Sequence, residues 1–196
     1  RYGSSEGLNF DDISTFLQTR DGSFWIGTWG GGLNRMKDGK VTPYASRNGL
    51  SYDEVSSLAE DRDGSVWVGT WGGGLDHLVN GRFQPVGTRE GLLADKVTCL
   101  LTDHTGALWV GTLGTGMSRL AQGKWTRFTT RQGIPNDNVR AIVEAPDGSL
   151  WIGTDGGLAH YSGGVFRRYG VADGLINEAI YSLLLDRDGV LWVSTL

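Results

Sequence analysis

Five acidic residues, Asp11, Asp53, Asp95, Asp137 and Glu178, each stand two positions ahead of the first apolar side chain of a short apolar run. Carboxylates placed so regularly could do two kinds of work. Two of them, drawn together by the fold, could act as the acid–base pair of a glycosidase or lyase. Nothing in their surroundings singles out two. One carboxylate per copy suits a loop instead, where it accepts hydrogen bonds from backbone N–H groups. The next slot varies, with Asp12, Glu54, Lys96, Asn138 and Ala179, and so does the preceding one, with Phe10, Tyr52, Ala94, Asn136 and Asn177. No folding rule demands that variety, so these side chains are expected to tune recognition. Trp29 and Trp71 add flat apolar faces with donor N–H groups, a combination suited to stacking on sugar rings.

Other chemistry finds little footing. His77 and His160 share one slot with Arg35 and Arg119, which points to a polar strand face, and His104 lies in a turn. Three scattered histidines make no metal site. "DRDG" at 61–64 and 186–189 is faintly like a calcium loop, but the other copies read "TRDG", "DHTG" and "APDG", so a hairpin turn is expected. Neither a G-x-S-x-G elbow nor an ordered set of Ser, His and acid occurs. Cys99 is the single cysteine and falls in a slot of small residues, Thr15, Ser57, Ala141 and Ser182, so it reads as packing. A net charge of −4 without a basic face argues against a nucleic-acid surface. No apolar run approaches the ~18 residues of a membrane span.

What must position these groups is a repeat. Trp25, Trp67, Trp109, Trp151 and Trp192 are spaced by 42, 42, 42 and 41 residues. Gly7, Gly49, Gly91, Gly133 and Gly174 precede them, each followed by Leu or Ile, and Tyr2, Tyr44, Val86, Phe128 and Tyr169 stand five residues earlier still. Within the second copy, "VSSLAED", "SVWVGT", "LDHLV" and "RFQPV" read as four strands, separated by "DRDG", "GGG" and "NG" turns. No stretch has helical periodicity. Four antiparallel strands every ~40 residues is the arithmetic of a β-propeller blade. The expected segments are the end of a preceding blade (1–6), four blades (7–48, 49–90, 91–132 and 133–173) and half of a further one (174–196). Gly27, Gly69, Gly111 and Gly153 share a strand face with the motif tryptophan, and their missing side chains are expected to make room for a neighbouring blade.

The stretches "NGLSYDEVSSLAEDRDGSVWVGTWGGGL" and "QGIPNDNVRAIVEAPDGSLWIGTDGGL" resemble the two-component regulator propeller repeat, and the likeness covers essentially the whole chain. Departures are few: Ser194 replaces the motif glycine, Thr105 the turn aspartate and Ile134 the leucine. The resemblance implies an all-β, seven-bladed propeller outside the cytoplasmic membrane. In typical members an immunoglobulin-like domain, a membrane helix and a histidine kinase or other output domain follow. A seven-bladed ring at this period needs about 294 residues, so the chain is expected to form an incomplete ring.

In a propeller the loop entering each first strand and the turn after each second strand share one face. The ligand contacts expected at that mouth are Trp29, Trp71, Asp12, Glu54, Lys96, Asn138 and Tyr52. No catalytic residue, metal or cofactor is expected. By the resemblance, the expected function is that of a periplasmic sensor module binding a small molecule or an oligosaccharide. Its other partners would be the remainder of its own receptor chain and a second copy in a homodimer, with neither nucleic acid nor membrane touching this segment. Two alternatives remain at this stage, a protein-binding scaffold and a carbohydrate-active enzyme.

Overall fold

In the computed structural model of the chain, residues 3–195 are described. The first sheet runs β1 (Ile13–Gln18), β2 (Phe24–Thr28), β3 (Gly32–Lys37) and β4 (Lys40–Tyr44). The second runs β5 (Val55–Glu60), β6 (Val66–Thr70), β7 (Leu75–Val79) and β8 (Arg82–Val86). The third holds β9 (Val97–Thr102), β10 (Leu108–Thr112), β11 (Met117–Ala121) and β12 (Lys124–Phe128). The fourth holds β13 (Val139–Glu144), β14 (Leu150–Thr154), β15 (Gly157–Ser162) and β16 (Val165–Tyr169). A final pair is β17 (Ile180–Leu185) with β18 (Leu191–Thr195). Each sheet is an antiparallel meander in chain order, as the turn signals predict. The chain divides into two compact units, Arg1–Val97 and Thr98–Leu196.

The described residues contain no α-helix, and the loops between sheets carry single 3-10 turns instead, at Ser4–Glu6, Ser46–Asn48, Thr88–Glu90 and Val171–Asp173. The turn at Ser4–Glu6 stands where the tail of a preceding blade was expected, and Tyr2 lies outside the described residues. Each turn is closed by a side chain reaching back to the backbone N–H three residues earlier: Glu6 to Gly3, Asn48 to Ala45, Glu90 to Gly87 and Asp173 to Gly170. Each then stops at Gly7, Gly49, Gly91 or Gly174, with φ of 100–112°, a conformation open to glycine. This is why the repeat keeps glycine there. The next residue turns inward: Leu8, Leu50 and Leu92 are buried and Leu175 is half-buried, and Ile134, after Gly133 in the loop without a 3-10 turn, is buried as well.

Packing between successive sheets rests on a notch. In the first sheet Thr15 lies opposite Gly27, so both face the second sheet, and a Cβ on Gly27 would fall 2.6 Å from Val55 Cγ1. Val55, the first residue of β5, is fully buried in that space. In the second unit Ala141 lies opposite Gly153, and Ile180 Cγ2 would stand 2.6 Å from a Cβ there. Val139 fills the notch at Gly111 in the same way. Around each plug the core closes: Trp25, Leu33, Leu58, Val66 and Val68 surround Val55 in the first unit. Trp109, Met117, Ile142 and Ile152 surround Val139 in the second. Trp25, Trp67 and Trp109 are buried as the repeat requires, and Trp151 is half-buried. Trp192 is 60% exposed, since no sheet among the described residues follows it.

Asp76 in β7 is fully buried and accepts hydrogen bonds from Ser51 N (2.9 Å) and Ser51 Oγ (2.8 Å), which pins the loop after Leu50. Burial raises its pKa, against the lowering by the two bonds. Stability linked to that raised pKa is present below the unfolded value and is lost as pH rises through the folded one. Asp76→Asn keeps an acceptor for Ser51 N without the buried charge. Chemical denaturation should show the variant more stable at pH 7 by roughly 1 kcal/mol, with the gain vanishing near pH 4. Gly153→Ala should lower stability by about 1–3 kcal/mol through overpacking against Ile180. Gly87→Ala, whose Cβ would meet nothing closer than 3.6 Å, should stay within about 0.5 kcal/mol of the parent in the same measurement.

Candidate functional site

The loop before each first strand and the turn after each second strand meet through the backbone. In the first unit Trp29 N donates to Asp12 O and Trp71 N to Glu54 O, both at 2.9 Å. Each turn is also held from the far side: Gly30 N and Gly32 N donate to Asp53 O at 3.1 and 2.8 Å, and Gly74 N to Asp95 O at 2.9 Å. In the second unit Gly116 N donates to Asp137 O (2.8 Å) and Gly157 N to Glu178 O (2.7 Å). A turn is thus gripped by its own blade and by the next. The fixed acidic slot serves this loop in its side chains as well. Asp11, Asp53 and Asp137 accept from the backbone N–H of Ser4, Ser46 and Thr130. That is the loop role expected of them, and it explains the carboxylate in these three copies.

The variable slots behave differently. Asp12 and Lys96 are exposed, Glu54 is half-buried, and neither acid carries a side-chain hydrogen bond among the described residues. Trp29 and Trp71 meet edge to face, with ring centroids 5.8 Å apart and planes at 85°. Trp29 is 37% exposed. Lys96 Nζ stands 6.0 Å from the Trp71 ring, close enough for a cation–π attraction. The Trp29 indole thus leans on the neighbouring blade and still offers surface. Tyr52 is 42% exposed and lies flat on its own turn, 3.3 Å from where a Gly72 side chain would begin. The first unit thus gathers Trp29, Trp71, Asp12, Glu54, Lys96 and Tyr52 along its loop edge.

In the second unit Asn138 is tied to Asp155, its amide donating to Oδ2 at 2.7 Å. Asp155 also takes a two-pronged ion pair from Arg140, Nε to Oδ1 at 2.7 Å and Nη2 to Oδ2 at 2.9 Å. Arg140 chiefly, against some desolvation, holds the Asp155 carboxyl below its usual range. The Arg140 guanidinium lies 5.7 Å from the Tyr181 ring, and Tyr181 is 45% exposed. Sequence reasoning missed Arg140 and Tyr181. The available signal was their slot, which reads Ser14, Ser56, Thr98, Arg140, Tyr181 along the repeat.

At the hairpins between first and second strands, side chains lock the fold. Asp61, Asp103 and Asp186 accept the indole N–H of Trp67, Trp109 and Trp192 at 2.9, 2.8 and 2.7 Å. Asp61, Asp63 and His77 offer ligand atoms within 4.8 Å of one another. Their partners account for the cluster: His77 stacks on Trp67 at 3.7 Å and its Nε2 meets Ser65 Oγ at 2.6 Å. Arg35 does the same in the first copy, donating from Nε to Ser23 Oγ at 2.9 Å while covering Trp25. A slot filled by Arg elsewhere is a donor slot, and the polar strand face expected there is a clasp over the tryptophan. Arg20 and Glu60 add a cross-sheet ion pair at 3.1 Å.

Cys99 Sγ lies in the Gly111 notch, and burial pushes its pKa up to about 12. A thiol this far from ionisation at neutral pH should react with Ellman's reagent at least ~100-fold more slowly in the native chain than in guanidinium, as a stopped-flow trace would show.

Among the described residues no helix is long and apolar enough to cross a membrane. Antiparallel four-stranded sheets, packed one on the next within each unit, define an all-β, partial β-propeller, and comparison with known proteins places it more closely. Residues 7–30, 49–72, 91–114, 133–156 and 174–196 match the profile of the family described as two component regulator propeller. These segments make up more than half of the chain, and the chain belongs to that family. No curated protein matches the sequence. A solved relative in fold is the extracellular domain described as that of a one component system, BT4673, from B. thetaiotaomicron, at 25% identity and a TM-score of 0.76, covering 96% of this chain and 27% of that one. A second, described as from the hybrid two component system BT3049 of the same organism, is 20% identical with a TM-score of 0.74, covering 95% and 33%. The chain therefore spans a third or less of these domains. Virginiamycin B lyase from Staphylococcus aureus shares the fold alone, at 13% identity and a TM-score of 0.70, covering 94% of this chain and 70% of the lyase.

Proposed function

We propose that this chain is part of the extracytoplasmic, periplasmic sensor of a bacterial signalling receptor. It binds an oligosaccharide at the loop edge and passes the event to a kinase or other output domain in the remainder of its own chain, in a homodimer. The chain has no catalytic role in this reading. The observation that carries it is the tryptophan corner: Trp29 and Trp71 stand edge to face in a slot that the repeat leaves open to Leu113 and Asp155 elsewhere. A blade does not need an indole there, and an exposed indole beside carboxylates suits a sugar ring, with apolar C–H faces on the ring and acceptors for its hydroxyls. Asp12, Glu54 and Lys96 supply the polar contacts, Tyr52 a second aromatic surface, and Asn138 joins the polar wall of the second unit. Family membership and the likeness to extracellular domains of one component and two component systems support the sensor class and its side of the membrane. A ligand changes signalling only by its difference in affinity for the two receptor arrangements.

The test is calorimetric titration of the full-length protein with a panel of oligosaccharides. Saturable binding without turnover is expected, and Trp29→Ala or Trp71→Ala should weaken it about tenfold with little change in melting temperature. Unchanged affinity in both variants would remove the indoles from the site. Turnover abolished by one acidic substitution would make the chain an enzyme, and copurification with a protein in place of sugar binding would make it a scaffold.

A further inference from the structure

The fourth copy of the repeat gives up a structural contact that the earlier copies keep. Ser14 Oγ donates to Val55 O at 2.5 Å, Ser56 Oγ to Val97 O at 2.7 Å, and Thr98 Oγ1 to Val139 O. A short hydroxyl at the start of each first strand thus ties one blade to the next. In the fourth copy that slot holds Arg140, and the facing turn holds Asp155 where the first two copies hold Trp29 and Trp71. The two replacements meet, since Arg140 and Asp155 form the bidentate pair described above, steadied by Asn138. The other copies show that neither residue is needed to close a seam or a turn.

We propose that Arg140, Asp155, Asn138 and Tyr181 form a binding subsite for adjacent hydroxyl groups of a neutral sugar ring, a deepening that rests on the oligosaccharide reading above. The guanidinium has five N–H donors and two are engaged by Asp155, which leaves three directed elsewhere. The carboxylate accepts three hydrogen bonds, from Arg140 twice and Asn138 once, and keeps acceptor capacity beside those donors. Side-chain exposures of 25% for Arg140 and 23% for Asp155 leave both reachable and neither free to wander. Fixed donors and an acceptor side by side match two neighbouring hydroxyls, each of which both donates and accepts. The Tyr181 face next to the guanidinium supplies the apolar floor on which a ring lies. Because the pair is neutral overall, an anionic substituent gains no net attraction from it. A rigid pair needs no reordering when the ligand arrives, which favours affinity.

The test is a titration of the isotopically labelled chain with neutral oligosaccharides and the matching uronate oligomers, followed by NMR. The Arg140 Nε–H signal is assigned by its loss in Arg140→Lys. A neutral sugar should shift that signal and the Tyr181 ring signals, Arg140→Lys and Tyr181→Ala should each weaken its binding about tenfold, and Tyr181→Phe should retain it. If Arg140→Lys fails to fold, the Ala and Phe variants of Tyr181 decide the matter. Sugar-induced shifts at the Trp29 and Trp71 indoles with Arg140 unmoved would overturn the subsite and leave the sensor reading intact. Uronates binding tenfold better than neutral sugars would also overturn it, as an anion site. Shifts at Arg140 with the indoles still would uphold it without the tryptophan corner. Silence at both places would sink both proposals.

Discussion

At three seams a side chain from one blade occupies the space left by a missing side chain in the blade before it. Val55 enters at Gly27, Val139 at Gly111 and Ile180 at Gly153, and each plug is fully buried. The notch works because antiparallel pairing sets the glycine opposite a small first-strand residue, so two short side chains share one patch of sheet face. Tight fit there draws neighbouring strands close, and dispersion and apolar burial across the seam then act over the whole sheet face. The buried indoles and the seam hydroxyls follow from that approach. Where no following sheet exists among the described residues, the indole of Trp192 lies open.

With the seam fixed, the loops that cross it inherit their positions. The turn carrying Trp29 is hydrogen-bonded to Asp12 on one side and Asp53 on the other, so its side chain is aimed by two blades. The fold has used the backbone there and left the side chain undetermined. This is why a single slot can hold Trp29, Trp71, Leu113 or Asp155 without cost to the architecture. A binding surface made of such slots can change its chemistry copy by copy. The tryptophan corner in the first unit and the Arg140–Asp155 pair in the second are two results of the same freedom.

Much of the architecture was legible because repetition supplies its own comparison. Five copies separate what never varies, such as Gly49 and Trp67, from what does, such as Glu54 and Lys96. The acidic slot was read as a loop device on that ground, and Asp53 on Ser46 N bears it out. The single 3-10 turns escaped notice because three residues carry no periodicity. Their signature is Asn48 or Glu90 closing a turn just before a glycine, a pattern of capping. Arg140 and Tyr181 escaped because each looks like an ordinary strand residue until the hydroxyls beside it are seen to bond across the seam. The clasp over the tryptophans is legible only in part: the sequence shows that His77 and Arg35 share a slot, and the structure that the slot lies on the indole face.

What the sequence determined by itself was what local geometry sets and repetition lets one compare: the strands, the turn glycines and the notch. Those depend on the few residues around each position, and periodicity reveals them. What tertiary structure alone decided was which variable side chains meet. Trp29 faces Trp71 from 42 positions away, and Arg140 finds Asp155 across a hairpin. Such meetings depend on the curvature and spacing of packed sheets, quantities that the order of residues encodes only through the whole fold.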